Sequence, residues 1–164
     1  MKTVLLIRHA KSSWENAAMK DFDRVLNDRG NKDAPMMAKR LQDKKFDIDL
    51  FVSSPATRAY TTAKYFHEIF NSKKELLVTV PELYHASVAD FYQTIHSLDN
   101  RFDTVAIFSH NPGITEMVNS LGVAKVDNMP TCAVFAVRAD INNWSDFEQS
   151  PRHFWFFDYP KLGQ

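Results

Sequence analysis

Apolar residues fall along this chain in two rhythms. In the first, short unbroken runs end abruptly in polar residues: VLLI at positions 4–7 stops at Arg8 and His9, and AIF at 106–108 stops at Ser109 and His110. Such runs, rich in β-branched and aromatic residues, are the pattern of strands covered on both faces. They predict strands over TVLLIR, DLFVSS, LLVTV and TVAIFS, and two closing strands over TCAVFAVRA and HFWFFDY. In the second rhythm apolar positions recur every three or four residues, as amphipathic helices require. SPATRAYTTAKYFHEIF shows it with Ala59, Ala63, Phe66 and Phe70, and VADFYQTIHSL and GITEMVNSL are further helices. Asn27 or Asp28 can cap a helix through about Lys44, with Met37, Ala38 and Leu41 on its apolar face. Pro35 lies inside that span, so the helix either kinks there or restarts with Asp33 as cap.

Strands that alternate with helices predict an α/β fold: three layers, α/β/α, with a mostly parallel central sheet and the two closing strands as an antiparallel edge. The length of 164 residues suits a single domain, and no repeat, low-complexity tract or linker divides it. Twenty basic and twenty acidic side chains cancel. That balance argues against a nucleic-acid partner, which selects a basic stripe. The apolar runs are far shorter than the ~18 residues of a membrane helix, and Met1-Lys2 leads into a strand pattern, not a signal peptide. With Cys132 as the only cysteine, no internal disulfide can form. The expectation is a cytoplasmic protein without a membrane partner. No segment reads as an exposed apolar interface, which favours a monomer.

Ligands of open α/β sheets bind beyond the carboxyl ends of the strands. There the first strand ends in Arg8-His9, the second leads through SSPATR to Arg58, and the fourth ends in SHNPG with His110. Two histidines and two arginines would thus share one crevice, a set suited to a phosphoryl group. Guanidinium forks pair with its oxygens, and a neutral imidazole can attack phosphorus. Arg58 sits early in its helix, where the dipole offers a cation nothing, so it needs an anionic partner.

LIRHAKS, VSSPATRAYTTA and FSHNPG resemble, in order and spacing, the histidine phosphatase superfamily, and RHAKSSW, DFDRVLNDRG, DAPMMA, PELYHA and SHNPG resemble its small SixA-type protein-phosphohistidine phosphatases. The resemblance spans nearly the whole chain and implies a phosphoglycerate mutase-like fold as one histidine phosphatase domain over 1–164. It implies His9 as a nucleophile that is transiently phosphorylated, with one ring nitrogen donating to a backbone carbonyl, Arg8 and Arg58 as the phosphoryl clamp, and His110 as a donor to growing charge. Arg24 would add a phosphate contact, and Lys11 and Asn111 are weaker candidates. Glu82, in VPELYHA, is the one carboxylate near the place where larger relatives keep a general acid. Val25 departs from the proline that such relatives carry. No cofactor and no metal are implied. The substrate would be a phosphorylated protein bearing phosphohistidine. The alternatives are a small phosphorylated metabolite, handled by a phosphomonoesterase or mutase, and a phosphate-binding module without turnover.

Other patterns lead elsewhere. Cys132 and Arg138 match a Cys-x5-Arg spacing, but AVFAV between them reads as strand, which cannot curl around a phosphate. Four scattered glycines build neither a dinucleotide fingerprint nor a P-loop. His67, His85, His96 and His153 lack ligand-like pairing and read as surface or rim residues. The aromatic run HFWFFDYP reads as core or edge packing.

Overall fold

The computed structural model describes residues 1–163. Its centre is a six-stranded sheet made of β1 (Lys2–Arg8), β2 (Leu50–Ser53), β3 (Leu77–Thr79), β4 (Thr104–Ser109), β5 (Val134–Ala139) and β6 (Arg152–Asp158), in the order β3-β2-β4-β1-β5-β6. The first four strands run parallel; β5 is antiparallel to β1 and to β6. Four helices join them: α1 (Asp28–Gln42), α2 (Thr57–Ile69), α3 (Val88–His96) and α4 (Gly113–Ser120).

The period of two along each strand divides the core. Leu5 and Ile7 of β1 and Ala106 and Phe108 of β4 pack with Met37, Ala38 and Leu41 of α1 and Ala63 and Phe66 of α2. Val4, Leu6, Val105 and Ile107 face the other way, against Phe91 and Ile95 of α3 and Ile114, Met117 and Val118 of α4. Each such side chain, fully buried, contributes about 1.5–3 kcal/mol. This is the three-layer α/β/α arrangement with its antiparallel edge, as the two rhythms predict. Trp144 and Phe147, from a turn between the closing strands, extend the second cluster.

One alternative left open by the sequence is decided and two boundaries differ. Pro35 neither restarts nor ends α1: the helix runs from its Asn27 cap, whose side chain accepts from Gly30 N–H, through Gln42. Packing of Ala34, Met37, Ala38 and Leu41 absorbs the lost backbone donor. The third strand shrinks to Leu77–Thr79 because it forms the sheet edge and is only partly buried. The fifth begins at Val134, since Cys132 sits in a left-handed turn, φ 62°, ahead of the strand.

Candidate active site

Register brings the candidate histidines together. Arg8 of β1 lies opposite Ser109 of the parallel neighbour β4, so the next residues, His9 and His110, emerge side by side, with ring centroids 5.1 Å apart. Backbone bonds lock this exit: His9 N–H donates to Ser109 O, and Cys132 N–H donates to His9 O. The crevice beyond the strands, about 360 Å³, is lined by Arg8, His9, Lys11, Arg24, Arg58, His110 and Asn111, together with Asp21, Trp14 and His85. Seven of the eight residues singled out from sequence therefore share one cavity.

His9 is nearly fully buried. Its Nδ1 lies 2.7 Å from Ala10 O. A carbonyl only accepts, so Nδ1 carries the ring proton and Nε2 presents a lone pair. Burial above all, then the Arg58, Arg8 and Arg24 charges, hold His9 down at about 3, against a rise favoured by the Ala10 bond, so the ring is neutral near pH 7. His110, also buried, is pushed down to about 2 by burial, then by His9 and Arg58. Its Nε2 lies 2.7 Å from Ser54 Oγ. That oxygen already accepts from Ala56 N–H, and its own proton has His110 as its only acceptor among the described residues, so the hydroxyl donates to Nε2 and the ring proton sits on Nδ1. His110 Nδ1, Arg8 Nε and Arg58 Nε are buried with no hydrogen-bond partner among the described residues. Burial first, and then Arg58, lowers the Arg8 pKa, though a guanidinium keeps its charge.

The anionic partner that Arg58 requires is Asp21, which the sequence reading left without a role. Arg58 donates through Nη1 to Asp21 O at 2.6 Å and through Nη2 to Oδ2 at 3.1 Å. Arg24 Nε reaches Oδ1 at 3.1 Å, and the Tyr84 hydroxyl donates to Oδ2 at 2.7 Å. Desolvation works against ionisation, but the bonds from Tyr84, Arg58 and Arg24 outweigh it and hold Asp21 at about 2. Arg24 is further fixed by Ser12 Oγ and lies 3.6 Å over the Trp14 ring, which is 73% exposed. Asp21 and Arg24 are spaced i, i+3 in a loop, a detectable signal, whereas Tyr84 and Ser54 reach the site only through the fold.

Asn111 lines the crevice but spends its amide elsewhere. Its Nδ2 donates to Asn128 and Met129, and its oxygen accepts from Thr115. It thereby holds the loop whose Met129 carbonyl takes Arg8 Nη1 at 2.8 Å. Glu82 does not join the site. It is exposed and lines a separate cavity of about 240 Å³ with Val52, Val80 and Thr94, because the turn Pro81–Leu83 directs it along the β3 edge toward α3. His85, read from sequence as a surface or rim residue, is exposed and lines the rim of the crevice. The Cys132 thiol is pushed up by burial first and by the Asp33 carboxylate second, which leaves it no thiolate character.

Comparison with known proteins agrees with this geometry. Residues 4–91 match the histidine phosphatase superfamily, branch 1. The chain is 29% identical over 154 residues to an uncharacterised chloroplastic protein of Arabidopsis thaliana, covering 88% of this chain and 70% of that one. Its fold superposes on SixA from Agrobacterium tumefaciens with a TM-score of 0.80 at 23% identity, over 97% of this chain and 98% of that one. A mycobacterial glucosyl-3-phosphoglycerate phosphatase superposes with 0.72 at 14% identity, over 97% and 100%. With its match covering more than half of the sequence, the chain belongs to the histidine phosphatase superfamily.

Proposed function

We propose that this chain is a phosphatase that takes the phosphoryl group onto His9 and passes it to water. The observation that carries the reading is the His9 Nδ1–Ala10 O bond at 2.7 Å, which leaves a neutral imidazole with its Nε2 lone pair available beside Arg8 and Arg58. In the first step Nε2 bonds to phosphorus as the bond to the leaving atom breaks; in the second, water attacks and frees His9. Arg8 and Arg58 pair with the equatorial oxygens, Arg24 and Lys11 add positive charge at the rim, and His110 donates through Nδ1–H to the charge that grows. Asp21 and Asn111 position the arginines. With these cations supplying the charge stabilisation, turnover should survive dialysis against a chelator.

The substrate we favour is a phosphorylated histidine on another protein. Glu82 lies outside the crevice and Asp21 is held ionised, so neither carboxyl offers a proton to a departing alkoxide. Imidazole is an easier leaving group than an alkoxide. Lys11 and Trp14 at the rim are exposed, which leaves room for a protein-borne group. The second reading, a small-molecule phosphomonoesterase, is favoured by the likeness of fold to the glucosyl-3-phosphoglycerate phosphatase. Rapid quenching with labelled substrate should trap acid-labile, base-stable phosphate on His9, and His9→Ala should abolish it. Comparable turnover by His9→Ala would end the phosphohistidine reading. Higher kcat/KM on sugar or glycerate phosphates than on a phosphohistidine protein would select the small-molecule reading.

A further inference from the structure

We propose that His85 is the proton donor to the leaving group, an inference that rests on the phosphatase reading above. His85 follows the turn that carries Glu82 away, and its backbone is left-handed, φ 59°. For a residue with a Cβ that conformation is strained and persists only where the surroundings hold it. Here the residues on both sides of it are tied down. Ser109 Oγ donates to Leu83 O at 2.7 Å, and the Tyr84 hydroxyl is bonded to Asp21. Ala86 O lies where a Cβ on Gly113 would stand 2.1 Å away, so α4 can close on the turn only with glycine there. Ser87 and Asp90 cap α3 reciprocally just beyond. The strained residue is thus built in, and its effect is to turn an imidazole into the crevice.

At the rim of the crevice the exposed His85 stacks on Tyr84, ring centroids 3.9 Å apart, and Tyr84 meets His110 edge-on at 5.6 Å. Most neighbouring side chains are engaged; His110 keeps an unpartnered Nδ1–H, but a neutral ring that gave it up would be left an anion, and Lys11 stands exposed at the rim. Asp21 accepts from Tyr84, Arg24 and Arg58; His9 is bonded to Ala10 and His110 to Ser54. Guanidinium groups do not give up a proton. No hydrogen bond from any described residue engages the His85 ring, and an imidazole can carry a proton on a ring nitrogen and pass it on. As His9 Nε2 bonds to phosphorus, the electron pair of the breaking bond takes the proton from protonated His85, and the leaving group departs with it. Neutral His85 then accepts a proton from the water that attacks phosphoryl-His9, which restores the starting state. An imidazole acid can serve a departing imidazole or a departing oxyanion, so the role holds for either substrate class.

The test compares p-nitrophenyl phosphate, whose anion leaves unaided, with phenyl phosphate, whose anion is far more basic. His85→Asn tolerates the left-handed backbone. It should lose on the order of 100-fold in kcat/KM on phenyl phosphate and less than about threefold on p-nitrophenyl phosphate. His85→Gly, free of strain at this φ, should show the same split, and imidazole added in solution should restore part of the phenyl phosphate rate. Equal losses on both substrates, or none on either, would overturn the proton-donor role while leaving the phosphatase reading intact. A wild type that releases phosphate from neither compound nor from a phosphohistidine protein would overturn both.

Discussion

Keeping two imidazoles neutral inside a cationic crevice should make this protein acid-sensitive well above the carboxylate range. His9 is held at about 3 and His110 at about 2, whereas each titrates near 6.5 in the unfolded chain. Both are bases with depressed pKa values, so between these limits the unfolded state binds more protons and stability rises with pH. Their contribution is complete above about 6.5 and is lost progressively as the pH falls from there toward about 3 for His9 and about 2 for His110. From pH 8 to 5 each group removes about 2 kcal/mol, so the pair removes about 4 kcal/mol, a large share of the ~5–15 kcal/mol of a typical domain. Asp21, held at about 2, has its window at lower pH and does not interfere. The assay is urea denaturation at pH 8, 7, 6 and 5 in a phosphate-free buffer, for the wild type and His9→Asn. The variant should lose about 2 kcal/mol less than the wild type across that range, because one titrating group has gone. A wild type equally stable at pH 8 and 5, or a His9→Asn variant with an unchanged slope, would refute the assignment of neutral buried imidazoles.

Three further outcomes follow from the geometry. Asp21→Asn removes the charge that ties Arg24 and Arg58, so kcat should fall while inorganic phosphate becomes a stronger competitive inhibitor; inhibition constants and kcat, measured together, check the split. Gly30→Ala and Gly113→Ala place a Cβ 2.1 Å from the Lys11 and Ala86 carbonyl oxygens, and each should cost about 1–3 kcal/mol in urea denaturation. Trp14→Ala frees one face of Arg24, a contact worth about 0.5–1 kcal/mol at an exposed site, so KM should rise a few-fold with kcat little changed.

The fold was legible because hydrophobic period and strand order do most of the work. VLLI splits between two cores as a strand buried on both faces must, and parallel pairing then makes Arg8-His9 and Ser109-His110 neighbours. What escaped was direction at turns. Glu82 and His85 are three residues apart around one turn, and the resemblance to larger relatives puts the carboxylate forward as the candidate acid. Only the short turn Pro81–Leu83 and the left-handed backbone at His85 decide which of the two faces the crevice. Cys132 escaped similarly, since TCA continues the apolar run, but a bond from its N–H to His9 O pins it in a turn before the strand begins. Asp21 carried one local signal, its i, i+3 spacing to Arg24, but Arg58 and Tyr84, which complete its contacts, come from a helix and a distant turn that only the fold brings to it.

Asp21 also explains how a chain with balanced charges can concentrate cations at one end of its sheet. Arg8, Lys11, Arg24 and Arg58 line a crevice that holds one carboxylate among the described residues, and Arg58 is close enough to Arg8 for its charge to lower the Arg8 pKa. Left to themselves, such side chains would splay into solvent and pay an ordering cost each time a ligand arrived. Asp21 holds Arg58 by a carboxylate oxygen and a backbone carbonyl, and holds Arg24 by the other oxygen. Its own side chain is 45% exposed while that of Arg58 is 6% exposed. The attraction therefore acts partly through water and is screened, whereas a phosphoryl dianion inside the crevice meets the same guanidinium groups in a drier setting, where charge counts for more. The carboxylate orders the clamp without competing on equal terms for it, which is the condition for a site whose donors are in place before charge develops.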